Sequence, residues 1–280
     1  MKEVIQINSK NIGQGQKVFI VAELGINHNG DFDTAIKLID EAKAAGADAV
    51  KLQTYITEKR TAKDSPIFNI LKQCELSFSR QKELFRYARS KGIEIFSTPF
   101  DEESVNFLAA VDTCCYKIAS FDVVNKKLLS KVARQAKPVI MSRGMANQEE
   151  LDAAVAIIKK HGLSIVLLHC VSAYPVLSHE FLNLATIRAL RERYRCPVGF
   201  SDHTLSIEAV QYAVAAGASV IEKHFTLSRK DKGPDHALSI EPDQMKAMVE
   251  GVRKVSCMLG EAACSAIPAE KEILQYRRMS

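Results

Sequence analysis

The chain has 280 residues, of which 47% are hydrophobic, and it carries a formal net charge of +5. This length and apolar content can bury a large core, in one large domain or in two small ones. Lysines and arginines are interspersed with acidic residues rather than gathered in a block, which argues against a nucleic-acid partner.

The cysteines and the apolar runs indicate the compartment. The seven cysteines are odd in number and include no C-x-x-C pair, which is typical of a reducing environment. The start, MKEVIQINSK, lacks the apolar region of a signal peptide, and no apolar run approaches the roughly 20 residues of a membrane helix. We therefore expect a cytoplasmic protein without a membrane partner.

The first segment of the chain differs in pattern from the rest. Residues 1–17 contain VIQIN and then GQGQ, which predicts a short β-hairpin that caps the N-terminal mouth of the fold. Residues 18–280 show no linker or low-complexity tract, so we expect them to form a single catalytic domain.

Short apolar runs then alternate with amphipathic helical segments almost to the end of the chain. The predicted strands are 18–24, 49–55, 94–100, 115–120, 138–144, 165–170, 197–203 and 220–226. Their first halves are almost entirely apolar, as in parallel strands covered on both faces, and their second halves are polar.

The segments between the strands have helical periodicity and helix-end residues. Helices are predicted over 33–46, 147–162 and 205–217, with Asn147 as an N-cap and Gly162 as a C′ residue of the second. Residues 56–80 predict instead a long polar connection, in which Lys59, Arg60 and Lys63 could face an anionic substrate or solvent.

Eight strand–helix repeats within about 250 residues predict an α/β fold of the (β/α)8 TIM-barrel type, with an active site at the carboxyl ends of the strands. A doubly wound open sheet is the alternative. It is less favoured because no glycine-rich phosphate loop comes after the first strand.

Polar side chains occupy the second half of nearly every predicted strand. They are Glu23, Lys51, Gln53, Thr98, Lys117, Ser120, Ser142, Ser172, Tyr174, Ser201, His203, Glu222 and His224. In a barrel these side chains converge at one rim. The two lysines and the hydroxyls suit a phosphate and a carboxylate together.

Two histidines near the ends of the last two predicted strands indicate a metal site. His203 lies in GFSDHT and His224 in IEKHFT, and Asp235 comes later in GPDH. Imidazole is a common ligand of divalent metals, so the pair suits manganese, iron or zinc, with positions left open for substrate and water.

Segments along most of the chain resemble N-acetylneuraminate (sialic acid) synthases and their relatives that make legionaminic and pseudaminic acids. The segments are ELGINHNGD (23–31), VKLQTY (50–55), STPFD (97–101), YKIAS (116–120), HCVSAYP (169–175), GFSDHT (199–204), EKHFT (222–226) and GPDHALSIEP (233–242). They stand in order and fall on every predicted strand but one.

The resemblance implies that phosphoenolpyruvate condenses with an open-chain N-acetylated aldose to give a nonulosonic acid and phosphate, with a divalent metal, usually Mn²⁺. It implies metal ligation by His203 and His224 and suggests a homodimer. It places around phosphoenolpyruvate Lys51, Thr98, Lys117, Ser120, Ser142 and Ser201. It places near the acceptor sugar Glu23, Gln53, Asp122, Tyr174 and Asp235. Of these, Glu23 and Asp235 are the expected catalytic carboxylates.

The chain departs from the family pattern in ways that leave the acceptor sugar open. The family usually continues into a small C-terminal domain resembling type III antifreeze protein, which a chain ending in PAEKEILQYRRMS is expected to lack. Ser172 and Asp122 stand where sialic acid synthases commonly carry asparagine and glutamate, and Arg143 where a small threonine is common.

Two other functions stay open from the residues alone. A Schiff-base aldolase would use Lys117 or Lys51 to attack a ketone directly. A barrel without a sugar-covering domain could instead bind an acidic sugar without catalysis.

Overall fold

The computed structural model describes residues 4–260 and 264–278, and its centre is a closed barrel of eight parallel strands. An antiparallel hairpin of β1 (Val4–Ile7) and β2 (Lys10–Gly13) precedes the barrel. The barrel strands are β3 (Phe19–Gly25), β4 (Ala49–Thr54), β5 (Glu94–Pro99), β6 (Tyr116–Ile118), β7 (Val139–Ser142), β8 (Ile165–Cys170), β9 (Val198–Asp202) and β10 (Val220–His224). The predicted TIM barrel and hairpin are confirmed, and the open-sheet alternative is wrong because β10 pairs with β3 and closes the ring.

Helices alternate with the barrel strands and cover the outside of the ring. They are α1 (Phe32–Ala44), α2 (Thr57–Arg60), α3 (Phe68–Cys74), α4 (Phe78–Lys91), α5 (Glu102–Ala110), α6 (Lys126–Ala133), α7 (Gln148–Lys160), α8 (Ala185–Tyr194), α9 (Glu208–Ala215) and α10 (Pro242–Leu259). Helix α7 begins as predicted, with a capping box between Asn147 and Glu150, and Gly162 lies just past its last residues at φ +70°.

The side chains that point into the barrel are apolar at its amino end. Ile5, Ile7 and Ile12 of the hairpin pack there against inward-facing strand residues. Those strand residues include Phe19, Val21, Ala49, Phe96, Ile140, Val166, Leu168 and Val220. Because side chains alternate along a strand, the next inward positions lie closer to the carboxyl rim, and there the residues are polar. The barrel is thus filled at one end and polar at the other.

The segment predicted as a long irregular connection is partly helical, which corrects the prediction over 56–80. Helices α2 and α3 lie within it, and Leu71 and Cys74 of α3 are buried with Ile26 and Tyr55. Their spacing of three residues places both on one face of a helix, a pattern that the surrounding polar residues obscured.

The predicted element ends differ from the structure by a few residues. The strand predicted over 115–120 ends at Ile118, because Ser120–Asp122 turn into a 3₁₀ helix. That turn brings the residues after β6 across the carboxyl rim.

Candidate active site

One cavity lies at the carboxyl rim of the barrel and receives side chains from every strand. Its lining consists of Glu23, Lys51, Gln53, Arg60, Thr98, Phe100, Lys117, Ala119, Ser120, Phe121, Ser142, Cys170, Tyr174, Ser201, His203, Glu222 and His224. All the residues that the resemblance places at the metal or the substrates are in this lining except Asp122 and Asp235. Ser172, which is expected at the same rim, is also absent from the lining. The structure therefore brings together residues that are up to about 200 positions apart in the chain, as a barrel rim does.

Two buried lysines and two buried carboxylates form the floor of the cavity. Lys51 Nζ lies 2.8 Å from Glu23 Oε2 and 3.7 Å from Glu222 Oε1. Lys117 Nζ lies 3.5 Å from the same oxygen of Glu222. Glu222 is thus shared between both ammonium groups.

Hydroxyl groups complete the surroundings of the lysines. Lys117 Nζ donates to Ser142 Oγ at 2.7 Å, and Lys51 Nζ donates to Thr98 Oγ1 at 3.3 Å. Ser201 Oγ donates to Glu222 Oε1 at 3.0 Å. Such a set of ammonium and hydroxyl donors around one small space suits an anion with several oxygens.

The two carboxylates differ in their affinity for protons. Burial alone would raise the pKa of Glu222, but Lys117 and Lys51 outweigh it and lower that pKa to about 2. The pKa of Glu23 is raised, because there burial outweighs the attraction of Lys51. Glu222 is therefore a fixed negative charge, and Glu23 is the carboxylate better suited to exchange a proton.

The pKa values of the two lysines also shift in opposite directions. Burial lowers the pKa of Lys117, although Glu222 opposes it. Burial acts in the same direction on Lys51, but Glu222 and Glu23 outweigh it and leave its pKa raised. Lys51 is held as the ammonium ion by two carboxylates, whereas Lys117 shares only one of them.

His203 and His224 lie side by side at the rim, with ring centroids 5.7 Å apart. Nδ1 of His203 is 2.7 Å from the carbonyl oxygen of Val171, so that nitrogen donates and Nε2 keeps its lone pair. Burial lowers the pKa of His203 to about 3, with His224 acting in the same direction, and the ring is neutral at pH 7. Tyr174 packs against His203 with the ring centroids 4.2 Å apart and the ring planes tilted by 35°.

The donor groups fit a divalent metal. Nδ1 of His224 is buried without a hydrogen-bond partner among the described residues, and it lies 3.7 Å from Asp235 Oδ2. Within residues 4–260 and 264–278, no three His, Cys, Asp or Glu side chains gather closely enough to hold a metal by themselves. The imidazoles of His203 and His224 would therefore be the protein's share of such a site, with water or substrate in its other positions.

Asp235 and Asp122 lie beside the cavity rather than in its lining. Asp235 approaches Glu23 around Gly25, where an added Cβ would lie 3.3 Å from an oxygen of each carboxylate. Asp122 accepts a hydrogen bond from Asn125 Nδ2 at 3.0 Å, and burial raises its pKa. Neither aspartate contacts Lys51 or Lys117 directly.

Glu222 is the central residue that sequence reasoning leaves out of the site. It is one of the polar residues at the strand ends, but neither the pattern nor the resemblance gives it a role. A usable signal is present, because Glu222 and His224 are two residues apart on one strand and so face the same interior. No comparable sequence pattern indicates that Phe100 and Phe121 line the cavity.

The three basic residues of the connection after β4 have different surroundings. Arg60 lines the cavity, where a residue that faces the substrate is expected to lie. Lys59 forms an exposed ion pair with Glu103, and Lys63 is exposed. Of the three, only Arg60 faces the site.

Comparisons with known proteins identify the class of enzyme to which this site belongs. The model of the NeuB family matches residues 38–263. An N,N′-diacetyllegionaminic acid synthase of Campylobacter jejuni is 37% identical over 282 residues, covering 95% of this chain and 84% of the relative. An uncharacterized protein of Methanocaldococcus jannaschii is 44% identical over 279 residues, covering 99% of this chain and 82% of the relative.

A solved structure gives the same result. The crystal structure of N-acetylneuraminic acid (sialic acid) synthetase from Leptospira borgpetersenii serovar Hardjo-bovis, in complex with citrate, matches with a TM-score of 0.95 and 38% identity. The match covers 99% of this chain and 97% of that chain. Fold, site and relatives together define a TIM-barrel synthase of the nonulosonic acid type. The chain belongs to the NeuB family.

In the part of the chain that the structure describes, no helix is both long enough and apolar enough to cross a bilayer.

Proposed function

We propose that this synthase condenses phosphoenolpyruvate with the open-chain aldehyde of an N-acetylated aldose, of the N-acetylmannosamine or diacetamido type, to give a nonulosonic acid and phosphate. The observation that carries the proposal is the pair of buried lysines, with their hydroxyl partners, next to the imidazoles of His203 and His224 in one cavity. Cationic and hydroxyl donors suit phosphoenolpyruvate, and the imidazole pair suits a metal-assisted aldehyde.

Phosphoenolpyruvate would lie at the floor of the cavity. Lys51 and Lys117 would bind its phosphate and carboxylate, with Thr98, Ser142 and Ser201 as further donors. Ser120 lies near them, with its Oγ 3.2 Å from Cys170 Sγ. An anion that approaches the lysines competes with Glu23 and Glu222, so proton uptake by Glu23 would relieve the repulsion.

The proposed reaction forms one carbon–carbon bond and breaks one carbon–oxygen bond. The enol carbon of phosphoenolpyruvate forms a bond to the aldehyde carbon, and the aldehyde oxygen gains a proton. Water adds to the resulting cationic carbon and gives its proton to a carboxylate, for which Glu23 and Asp235 are the proposed groups. Loss of phosphate by cleavage of the carbon–oxygen bond leaves the keto acid, and the lysines stabilise the departing charge.

His203 and His224 would hold the divalent cation, which we propose to be Mn²⁺ and which supplies Lewis-acid polarisation of the aldehyde when bound. The chain's own contribution is to keep the His203 ring neutral and oriented. The carbonyl of Val171 fixes the tautomer of His203, and Tyr174 packs against its face. Gln53 and Asp122 would contact the acceptor together with Tyr174.

The test is turnover of phosphoenolpyruvate carrying ¹⁸O in its bridging oxygen, with Mn²⁺ and a panel of acetamido aldoses. We expect chelator-sensitive release of phosphate that contains the label, together with a nonulosonic acid detected by mass spectrometry. Label retained in the sugar acid would contradict carbon–oxygen cleavage. Anion binding without phosphate release for the whole panel would favour a non-catalytic sugar-binding barrel.

A second candidate is a Schiff-base aldolase through Lys117. The lowered pKa of this lysine favours it, because a neutral amine is the nucleophile in such chemistry. Borohydride reduction in the presence of pyruvate separates the two functions. A pyruvyl adduct on Lys117 would reject the phosphoenolpyruvate mechanism, and the unmodified lysine would support it.

We further propose that the chain forms a homodimer and acts in the cytoplasm. The resemblance to dimeric synthases supports the first proposal. The second is supported by seven cysteines that are all free thiols, as expected in a reducing compartment. Light scattering after size exclusion tests the dimer, and a mass near that of one chain would contradict it.

A further inference from the structure

Arg60 is a charged residue of the cavity to which the proposed mechanism gives no role. It is the last residue of α2, and it reaches back over the rim to donate from NH1 to Gln53 Oε1 at 3.0 Å. Its guanidinium carbon lies 3.8 Å from the ring centroid of Phe100 and 4.6 Å from that of Tyr55. Both contacts are close enough for cation–π attraction, which holds the planar group in one orientation.

The short segment that carries Arg60 is itself fixed to the barrel. The backbone N–H of Ile56 donates to Asp101 at 2.8 Å, and that of Thr57 donates to Glu75 at 3.0 Å. Tyr55 donates through its hydroxyl to the carbonyl of Leu71 at 2.9 Å. A side chain on such a support loses little conformational entropy when it binds a ligand.

Most of the hydrogen-bonding capacity of Arg60 is unused by the protein. A guanidinium has five N–H donors, and among the described residues Arg60 makes one hydrogen bond, to Gln53. Phe100 and Tyr55 contact the guanidinium through their rings and leave its other donors without a partner among the described residues. Arg60 lines the cavity next to Gln53, so some of these donors are available to a ligand there.

The charges around Arg60 favour an uncharged ligand group. Burial lowers the pKa of the guanidinium, and the carboxylates of Asp235, Asp122 and Glu23 oppose that effect. These three carboxylates lie close enough to Arg60 to act on its charge. A second anion would be repelled by these carboxylates, whereas a neutral carbonyl oxygen accepts a hydrogen bond without adding charge.

We infer that Arg60 binds the acetamido carbonyl oxygen of the acceptor sugar and selects acetamido sugars over those that carry a hydroxyl at the same carbon. This inference rests on the proposed function, and it adds a specificity residue that lies outside the strand ends. Gln53 links Arg60 to Glu23, since Gln53 Nε2 donates to Glu23 Oε1 at 3.2 Å. The acceptor would thus be held beside the carboxylate that exchanges the proton.

The experiment compares wild type, Arg60→Met and the neighbouring control Lys59→Met. Methionine keeps an unbranched stem over Phe100 and removes the donors. Each protein is assayed with phosphoenolpyruvate, Mn²⁺ and two acceptors, namely the acetamido sugar that wild type uses best and its analogue with a hydroxyl in place of the acetamido group. The thermal midpoint of each variant checks that it is folded.

We expect Arg60→Met to raise the KM for the acetamido sugar by roughly 10- to 100-fold, the size of one lost hydrogen bond to a charged donor. Its preference for that sugar over the hydroxyl analogue should fall by the same factor, while the KM for phosphoenolpyruvate stays unchanged. Lys59→Met, whose side chain pairs with Glu103 at the surface, should match wild type.

Three other outcomes count against the inference. An unchanged KM for the acetamido sugar in Arg60→Met overturns it. Equal losses with both acceptors, or a lower kcat with the preference intact, mean that Arg60 acts only by positioning Gln53. If wild type itself releases no phosphate with any acetamido sugar, the proposed function fails and this inference fails with it.

Discussion

Lys51 Nζ lies 2.8 Å from Glu23 Oε2 in the interior of the barrel, and both side chains are almost completely buried. An ammonium ion in such a place requires its carboxylate partners, because removing one partner leaves an uncompensated buried charge. In the proposed function, the pair would therefore couple the binding of an anionic substrate to the protonation of Glu23.

Replacement of Lys51 by methionine should weaken the binding of phosphoenolpyruvate. The substitution removes one of two ammonium groups from the floor of the cavity, and a charged hydrogen bond of this kind corresponds to a KM increase of roughly 10- to 100-fold. Steady-state kinetics with varied phosphoenolpyruvate measures it. Lys91→Met, which removes a surface pair with Asp40, is the matched control, and an unchanged KM in Lys51→Met would remove this residue from the substrate site.

The variant Glu222→Gln should be less stable without ligand and should gain more stability from anions than wild type does. The substitution removes the Glu222 carboxylate, so that Glu23 is the carboxylate left beside the two buried ammonium groups. We expect the free energy of unfolding to fall by about 3 kcal/mol. Bound inorganic phosphate would replace the lost negative charge and stabilise the folded state. Thermal unfolding with and without phosphate measures both effects. Equal phosphate-induced shifts in the two proteins would show that Glu222 does not compete with the substrate anion.

Replacement of His224 by alanine should abolish metal-dependent turnover while the barrel stays folded. His224 is at the end of β10, so its loss removes one imidazole without disturbing the apolar interior. His161→Ala is the control, because His161 is exposed at the end of α7. Phosphate release and the thermal midpoint are measured for each variant. A rate near that of wild type in His224→Ala would exclude this residue as a ligand.

His28 should make the protein less stable in acid. Burial lowers its pKa to about 4 in the folded state from 6.5, so the folded protein binds fewer protons than the unfolded chain between these values. The stabilisation is complete above pH 6.5 and declines as the pH falls toward 4, by at most about 3 kcal/mol for this residue.

The variant His28→Asn tests this assignment. An asparagine oxygen can accept the hydrogen bond that Gly30 N–H now donates to His28 Nδ1 at 3.1 Å, but asparagine does not titrate. Urea unfolding at pH 7, 6, 5 and 4 should give a shallower loss of stability in the variant. His203, His169 and His236, whose pKa values burial also lowers, titrate in both proteins and contribute to the remaining slope. Parallel curves for the two proteins would contradict the assignment.

The barrel and most of its rim could be predicted from the sequence, because the strands change from apolar to polar along their length. Lys51, Lys117 and His203 are all at the carboxyl ends of such runs, where the fold itself places them in the cavity. Arg60 lies on a helix that the polar sequence concealed, and its orientation depends on Phe100 and Tyr55. Distances such as that between Glu222 and Lys117 depend on register and shear, which a pattern of apolar residues does not encode.

The hairpin that packs beneath the barrel also has a kinetic consequence. Ile5, Ile7 and Ile12 close one end, so every reactant enters and every product leaves through the opposite mouth. Lys51 and Lys117 lie deep in that blind chamber, whereas Tyr174 at its entrance is 44% exposed. In the proposed reaction, a sugar seated first would block the way down. The three-carbon acid would then have to bind before it, and a large excess of sugar should slow the cycle.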